Sequence, residues 1–213
     1  LKKVTKSKHV IATINGTSAL HIALKLIGLK KNNEVLIPSL NFIASTNATL
    51  YCGGIPHFID VEEKTLGVDI SKLNNYLKKN TKQVNSRCIN KKTNRKIIAI
   101  VPTHLFGHPV NMKELISLAK KYNLKVIEDA AEGVGSYFMK KHVGTFGNFG
   151  ILSFNGNKSI TTGGGGALLT NNARLATEAR HLISVSKIKE KYDLVHDKVG
   201  FNYKMTNLHA AIG

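Results

Sequence analysis

Short apolar runs alternate with longer amphipathic stretches through most of the chain. Ala19, Leu20, Ala23, Leu24 and Ile27 recur at helical spacing. Thr17 and Ser18 can cap that helix, and Gly28 stops it. The same pattern predicts strands over 34–37, 57–60, 97–101 and 125–128, and helices over 42–51, 70–77 and 112–122. Elements in that order imply crossover units and a mainly parallel sheet covered by helices, the three-layer α/β/α class.

After residue 130 the texture changes. Gly144, Gly147, Gly150, Gly156 and Gly163 to Gly166 crowd a region of short apolar pieces, which suggests a backbone folded tightly around something. Beyond it, 167–169 reads as a strand and 173–183 as a helix. Neither an internal repeat nor a linker divides the chain. Thr206 to Gly213 reads as a capped helix that has barely begun, and Leu1 is not an initiator methionine, so the sequence is read as a fragment.

Composition narrows the class. The 213 residues are 42% hydrophobic, enough for one sizeable core, with room for a second domain but no need of one. There is no apolar run of about 18 residues, and Leu1-Lys2-Lys3-Val4 leads into nothing like a signal peptide, so neither insertion nor secretion is indicated and a cytoplasmic location follows by default. Cys52 and Cys88 stand far apart in no metal-ligand spacing, which argues against a disulfide framework or a zinc site. Much of the net charge of +18 sits between Lys72 and Lys96. That stretch has almost no aromatic residue to stack on bases, so it reads as a solvated lysine-rich surface, and no nucleic-acid partner is expected. The positive field could still attract a phosphorylated small molecule.

In open α/β sheets ligands sit beyond the carboxyl ends of the strands, so polar residues just after each apolar run are the candidates. Gly16-Thr17-Ser18 at a helix start could hold an anion through free N–H groups and two hydroxyls, or be only a cap. Asp129, after Val126-Ile127-Glu128, could pair with a protonated ring nitrogen or cap the next helix. Ser153 follows Ile151-Leu152, and Lys158 comes five residues later, ahead of Gly163 to Gly166. A phosphate-binding P-loop fails on spacing, since Gly150 to Gly156 encloses five residues and Asn157 precedes Lys158. His104 and His108 lie four apart, but Gly107 and Pro109 disfavour a helix, so the imidazoles would not share a face and no metal site is expected.

Four motifs in register carry a resemblance: Gly16-Thr17-Ser18-Ala19-Leu20, Glu128-Asp129-Ala130-Ala131-Glu132, Ser153-Phe154-Asn155-Gly156-Asn157-Lys158 and Gly200-Phe201-Asn202-Tyr203-Lys204-Met205-Thr206-Asn207. Together they resemble the DegT/DnrJ/StrS family, nucleotide-sugar aminotransferases among the fold-type-I pyridoxal-phosphate enzymes. The match runs from about Ile14 to Gly213, nearly the whole chain, and implies that 1–213 is a cofactor-binding large domain of that transferase fold, without the family's first segment and its smaller C-terminal domain.

The resemblance implies pyridoxal 5'-phosphate as cofactor and Lys158 as the Schiff-base lysine that later moves the proton between substrate carbon and cofactor. It makes Asp129 the carboxylate that keeps the pyridine nitrogen protonated. Ser153, with Thr17 and Ser18, would hold the phosphate. Phe42 would lie against the ring face or serve as a helix-start core residue. Glu132 stands near the cofactor where relatives often carry Gln or His. Asn202 resembles a residue that reaches the phosphate of the neighbouring subunit, which implies a homodimer. Lys204 replaces an Arg common in relatives and receives no role. The implied reaction moves an amino group from an amino acid, glutamate, to a keto group of a nucleotide-linked sugar, for surface-glycan synthesis. Dehydratases of the same family carry His in place of this lysine, so Lys158 favours transfer. A non-catalytic nucleotide-binding module, a sugar dehydratase and a nucleic-acid binder are the alternatives.

Overall fold

The computed structural model describes residues 1–188, 190 and 193–213. In chain order the elements are α1 (Lys2–Thr5), β1 (His9–Thr13), α2 (Gly16–Leu26), β2 (Glu34–Pro38), α3 (Ala44–Tyr51), β3 (Ile55–Ile59), α4 (Ile70–Asn80), β4 (Thr81–Val84), β5 (Arg87–Asn90) and β6 (Lys96–Ile100). A short 3-10 turn at Leu105–Gly107 leads to α5 (Met112–Lys121), β7 (Lys125–Asp129), β8 (Tyr137–Phe138), β9 (Lys141–His142), β10 (Phe149–Ser153), β11 (Gly166–Thr170), α6 (Ala173–Leu182) and α7 (Asn207–Ile212).

The main sheet runs β1-β11-β10-β7-β6-β2-β3. From β3 to β10 every neighbouring pair along this path is parallel. β11 is antiparallel to β10, and β1 is antiparallel to β11, so β1 again points with the parallel set. The alternation of apolar residues decides which face each covers. Val35, Ile37, Ile127 and Ile151 pack with Leu20, Ala48 and Ala179 of α2, α3 and α6 on one face. Leu36, Ile97, Ile100 and Val126 pack with Leu73, Leu77 and Leu115 of α4 and α5 on the other. Each such buried aliphatic side chain is worth about 1.5–3 kcal/mol relative to exposure. Alternation breaks once, at Ile98, because Glu34 pairs with Ile97 but Val35 pairs with Ala99. The extra residue is a bulge that turns Ile98 toward the same core as Ala99.

The glycine-dense region has a structural cause. The parallel step from β7 to β10 carries no helix; instead residues 130–148 fold onto the sheet as a loop holding the β8–β9 hairpin, and Val143 packs on Leu152, Ala167 and Leu169. Glu128, fully buried, fastens that loop by accepting from the N–H groups of Gly144 at 2.8 Å, Phe146 at 2.6 Å and Gly147 at 2.7 Å. A Cβ on Gly150 would stand 1.9 Å from the Gly144 carbonyl oxygen, so the strand can pass under the loop only as glycine.

Three expectations are corrected. The α2 cap is Asn15, whose side chain accepts from the Ser18 N–H at 2.7 Å, so Thr17 and Ser18 lie inside the first turn. Phe42 precedes α3, which starts at Ala44. The lysine-rich stretch is no plain solvated surface: β4 and β5 form a hairpin that buries Cys88 and Asn90 while its lysines stay outside. β1 was not anticipated; it is held by β11, far away in sequence.

Candidate active site

The carboxyl ends of β1, β2, β6, β7 and β10 share one edge of the sheet with the start of β11. All the residues singled out in the first two strand-end motifs and the Lys158 turn fall along it. α2 begins there, with its first N–H groups lacking intrahelical acceptors and its positive dipole end exposed. Gly16 brings this terminus against β10: a Cβ at that position would lie 3.2 Å from Ser153 Cβ. Ser18 and Ser153 are each buried, and Thr17 is half-buried in the first turn of α2.

Asp129 closes β7. Its main chain is fixed by its N–H donating to Pro102 O at 2.8 Å and by its carbonyl accepting from the His104 N–H at 2.9 Å. The carboxylate is 4% exposed and accepts from the Ser45 hydroxyl at 3.0 Å and from the Ala131 N–H at 3.2 Å. Burial pushes this acid above its usual range; the Ala131 and Ser45 donors, the neighbouring His104 and the Lys158 amine pull the other way without cancelling the effect. A buried carboxylate in this condition is stabilised by a cationic hydrogen-bond donor placed against it.

Lys158 sits on a turn closed by its own N–H donating to Asn155 O at 3.0 Å. Its amine is mostly buried and donates to Glu132 Oε1 at 3.2 Å. The second oxygen of Glu132 accepts from the Phe106 N–H at 2.8 Å. Asp129, Glu132 and Lys158 thus converge, with the charge of the amine felt at the acid.

Phe42 and Asn202 stay apart from this group. Phe42, 70% exposed, stands beyond the end of β2, which disposes of the core-residue alternative. Asn202 is exposed on a segment whose neighbour Tyr203 bonds to Ile14 and Ile183. The two imidazoles also part: His108 is exposed, whereas His104 is buried, accepts from the Val110 N–H through Nδ1 at 3.2 Å and bonds Glu128 through Nε2 at 3.2 Å. An N–H can only donate, so Nδ1 is the acceptor and Nε2 carries the hydrogen toward Glu128. Ser45 and Glu128 were missed as site residues. Glu128 stands next to Asp129 in the sequence, but nothing local marks Ser45 as its partner.

Comparison with known proteins places this geometry. The chain is 41% identical over 200 residues to GDP-perosamine synthase of Escherichia coli O157:H7, covering 93% of this chain and 50% of that protein. The structure of a DegT DnrJ EryC1 StrS aminotransferase from Brucella abortus superposes with a TM-score of 0.88 at 29% identity, over 99% of this chain and 54% of that one. The structure of NtdA from Bacillus subtilis with bound cofactor PMP superposes with a TM-score of 0.82 at 31% identity, over 99% and 44%. The chain therefore spans about half the length of the curated relatives it matches. With a family model matched across residues 1–213, the chain belongs to the DegT/DnrJ/EryC1/StrS aminotransferase family.

Proposed function

We propose that this chain is the cofactor-binding large domain of a pyridoxal-phosphate-dependent aminotransferase that delivers an amino group to a keto group of a nucleotide-linked sugar. The observation that carries the proposal is the convergence of the Lys158 amine and the buried, undercompensated Asp129 carboxylate on the edge where α2 presents its N-terminus. That donor set fits the cofactor group by group. A ring nitrogen that carries a proton suits Asp129, a phosphate suits the hydroxyls of Thr17, Ser18 and Ser153 and the positive end of α2, and an aldehyde suits an amine nucleophile. NtdA, whose structure carries PMP, shares the fold.

The cofactor supplies an electron sink that eases the breaking of a C–H bond beside nitrogen. Asp129 holds the proton on the ring side, and burial strengthens its grip because water cannot compete. Lys158 would hold the cofactor through its amine and would move the proton at the reacting carbon. Glu132 keeps that amine on the correct side of the site. Phe42, exposed beyond the end of β2, is assigned to the ring face, and Asn202 to the cofactor phosphate of a neighbouring subunit. A homodimer, glutamate as donor, a role in surface-glycan synthesis and a cytoplasmic setting complete the proposal; among the described residues no helix is long and apolar enough to cross a membrane.

An absorbance spectrum of the full protein with pyridoxal phosphate, before and after borohydride reduction, with mapping of the labelled peptide, tests it. The label is expected on Lys158 and is lost in Lys158→Ala. A label on other lysines in equal measure, or none, rejects the proposal.

A further inference from the structure

Charge is sorted along the axis of the strands. Segments 25–31, 78–96 and 120–125 contain Lys and Arg without a single Asp or Glu. Topology brings all three to the sheet edge opposite the candidate site, because they hold or lead into the starts of β2, β6 and β7, with the end of the antiparallel β5 beside the start of β6, together with the last turns of α2, α4 and α5. The Asn123 side chain donates to Ser86 O, which ties 120–125 to 78–96, and within 78–96 the Lys91 amine donates to Lys79 O at 2.8 Å.

Lys30, Arg87 and Lys125 are exposed there around a half-buried Lys96. The Lys96 amine is held below the usual lysine range, first by burial and then by Arg87, Lys125 and Lys30. None of the ion pairs among the described residues includes any of the four. Glu34, at the start of β2, is buried, and its oxygens are taken by His57, Asn90 and Thr93. Uncompensated cations repel one another, so this face costs the fold stability unless something anionic lies against it.

We propose that this far edge, built around Lys30, Arg87, Lys96 and Lys125, is a docking face for an anionic lipid surface. Three features favour lipid over nucleic acid. The helices end there rather than begin, so no row of free N–H groups is offered to seat individual phosphates. The one aromatic residue in the three segments, Tyr122, is buried and gives no base-stacking platform. Lysines outnumber arginines, which suits recognition of charge density rather than bidentate contacts. The expectation of no membrane partner came from the want of an insertable segment; attachment through charge needs none. The inference is independent of the cofactor proposal.

Vesicle sedimentation of the full protein tests it, using phosphatidylcholine alone and with roughly one-third phosphatidylglycerol, at low salt and at about 0.5 M salt. Binding is expected only to the anionic vesicles and is lost at high salt. The triple variant Lys30→Glu, Arg87→Glu, Lys125→Glu should lose about tenfold or more. A control of equal charge change, Lys64→Glu, Lys187→Glu, Lys198→Glu, should keep most of the binding. The milder Lys30→Gln, Arg87→Gln, Lys125→Gln variant reads the same loss at smaller size if charge reversal unfolds the chain. Equal loss in both reversed variants, or no binding to anionic vesicles, overturns the proposal. So does tighter binding to duplex DNA that only the far-edge variant abolishes.

Discussion

The Lys158 amine donates to one oxygen of Glu132 at 3.2 Å, while the other Glu132 oxygen accepts from the Phe106 N–H at 2.8 Å. Glu132 thereby ties Lys158 to a turn in which Phe106 holds a left-handed backbone, φ 51, a conformation a bulky residue rarely adopts without support.

Glu132→Ala and Lys158→Ala should each cost less than about 1 kcal/mol of stability, because the pair is part-exposed and water replaces it. They should differ at Phe106. Amide exchange there is expected to rise roughly tenfold in Glu132→Ala and to stay near the parent rate in Lys158→Ala. Equal exchange in the two variants, measured by NMR or mass spectrometry, would show that the turn is held by something else.

Asp129 gives a pH signature. Its folded-state carboxyl titrates above the ordinary value of 3.8, so the folded protein binds this proton more tightly than the unfolded chain. The stability gained from that proton is complete below 3.8 and is lost as pH rises through the raised folded value. Cofactor-free parent protein should therefore lose stability, relative to Asp129→Asn, from pH 3.8 upward, until the difference levels off. By neutral pH the Asn variant should be ahead in urea titrations. The same variant should bind pyridoxal phosphate at least about tenfold more weakly, since an amide cannot match an anion opposite a cationic ring.

The sequence reveals the parallel core because its signals are local. Val35 to Ile37 and Ile97 to Val101 are short apolar runs, and Leu115, Leu118 and Ala119 repeat at helical spacing, so period alone identifies them. Lys158 and Asp129 are legible for another reason: they follow apolar runs at the edge where such sheets bind ligands. What escapes depends on distant pairing. β1 needs β11, and the Ser45 hydroxyl meets Asp129 across 84 positions. The cap was misplaced because Asn15, Thr17 and Ser18 are all good capping residues, and only the extended backbone of Asn15 and its bond from the Ser18 N–H settle which one lies outside the helix.

Glu128 separates packing from charge. Its carboxylate serves three loop N–H groups and His104 with no exposure to water. Glu128→Ala should cost about 3–5 kcal/mol, since it strands several buried donors at once. Glu128→Gln keeps the volume but replaces one acceptor oxygen with a donor, and about 2 kcal/mol is expected. Denaturant midpoints that leave either variant within 0.5 kcal/mol of the parent, on the scale of ordinary surface changes, would contradict the fastening role given to this residue.

Two glycines test whether the glycine-rich texture is structural throughout. A Cβ on Gly150 would meet Gly144 at its carbonyl oxygen, Cα and carbonyl carbon, at 1.9, 2.4 and 2.5 Å, all of them backbone atoms that cannot swing away. Gly156 lies in the turn that leads to Lys158, has no atom within 4 Å of the added carbon and does not sit at positive φ. Gly150→Ala should therefore cost more than about 3 kcal/mol or prevent folding, because strand and loop must separate. Gly156→Ala should stay within about 1 kcal/mol and is expected to stabilise slightly, by restricting the unfolded chain. Its readout extends to the site. If the turn needs only room and not glycine flexibility, borohydride-fixed labelling of Lys158 in Gly156→Ala should match the parent, and a large loss of labelling in a stably folded variant would mean that the lysine turn must move to react.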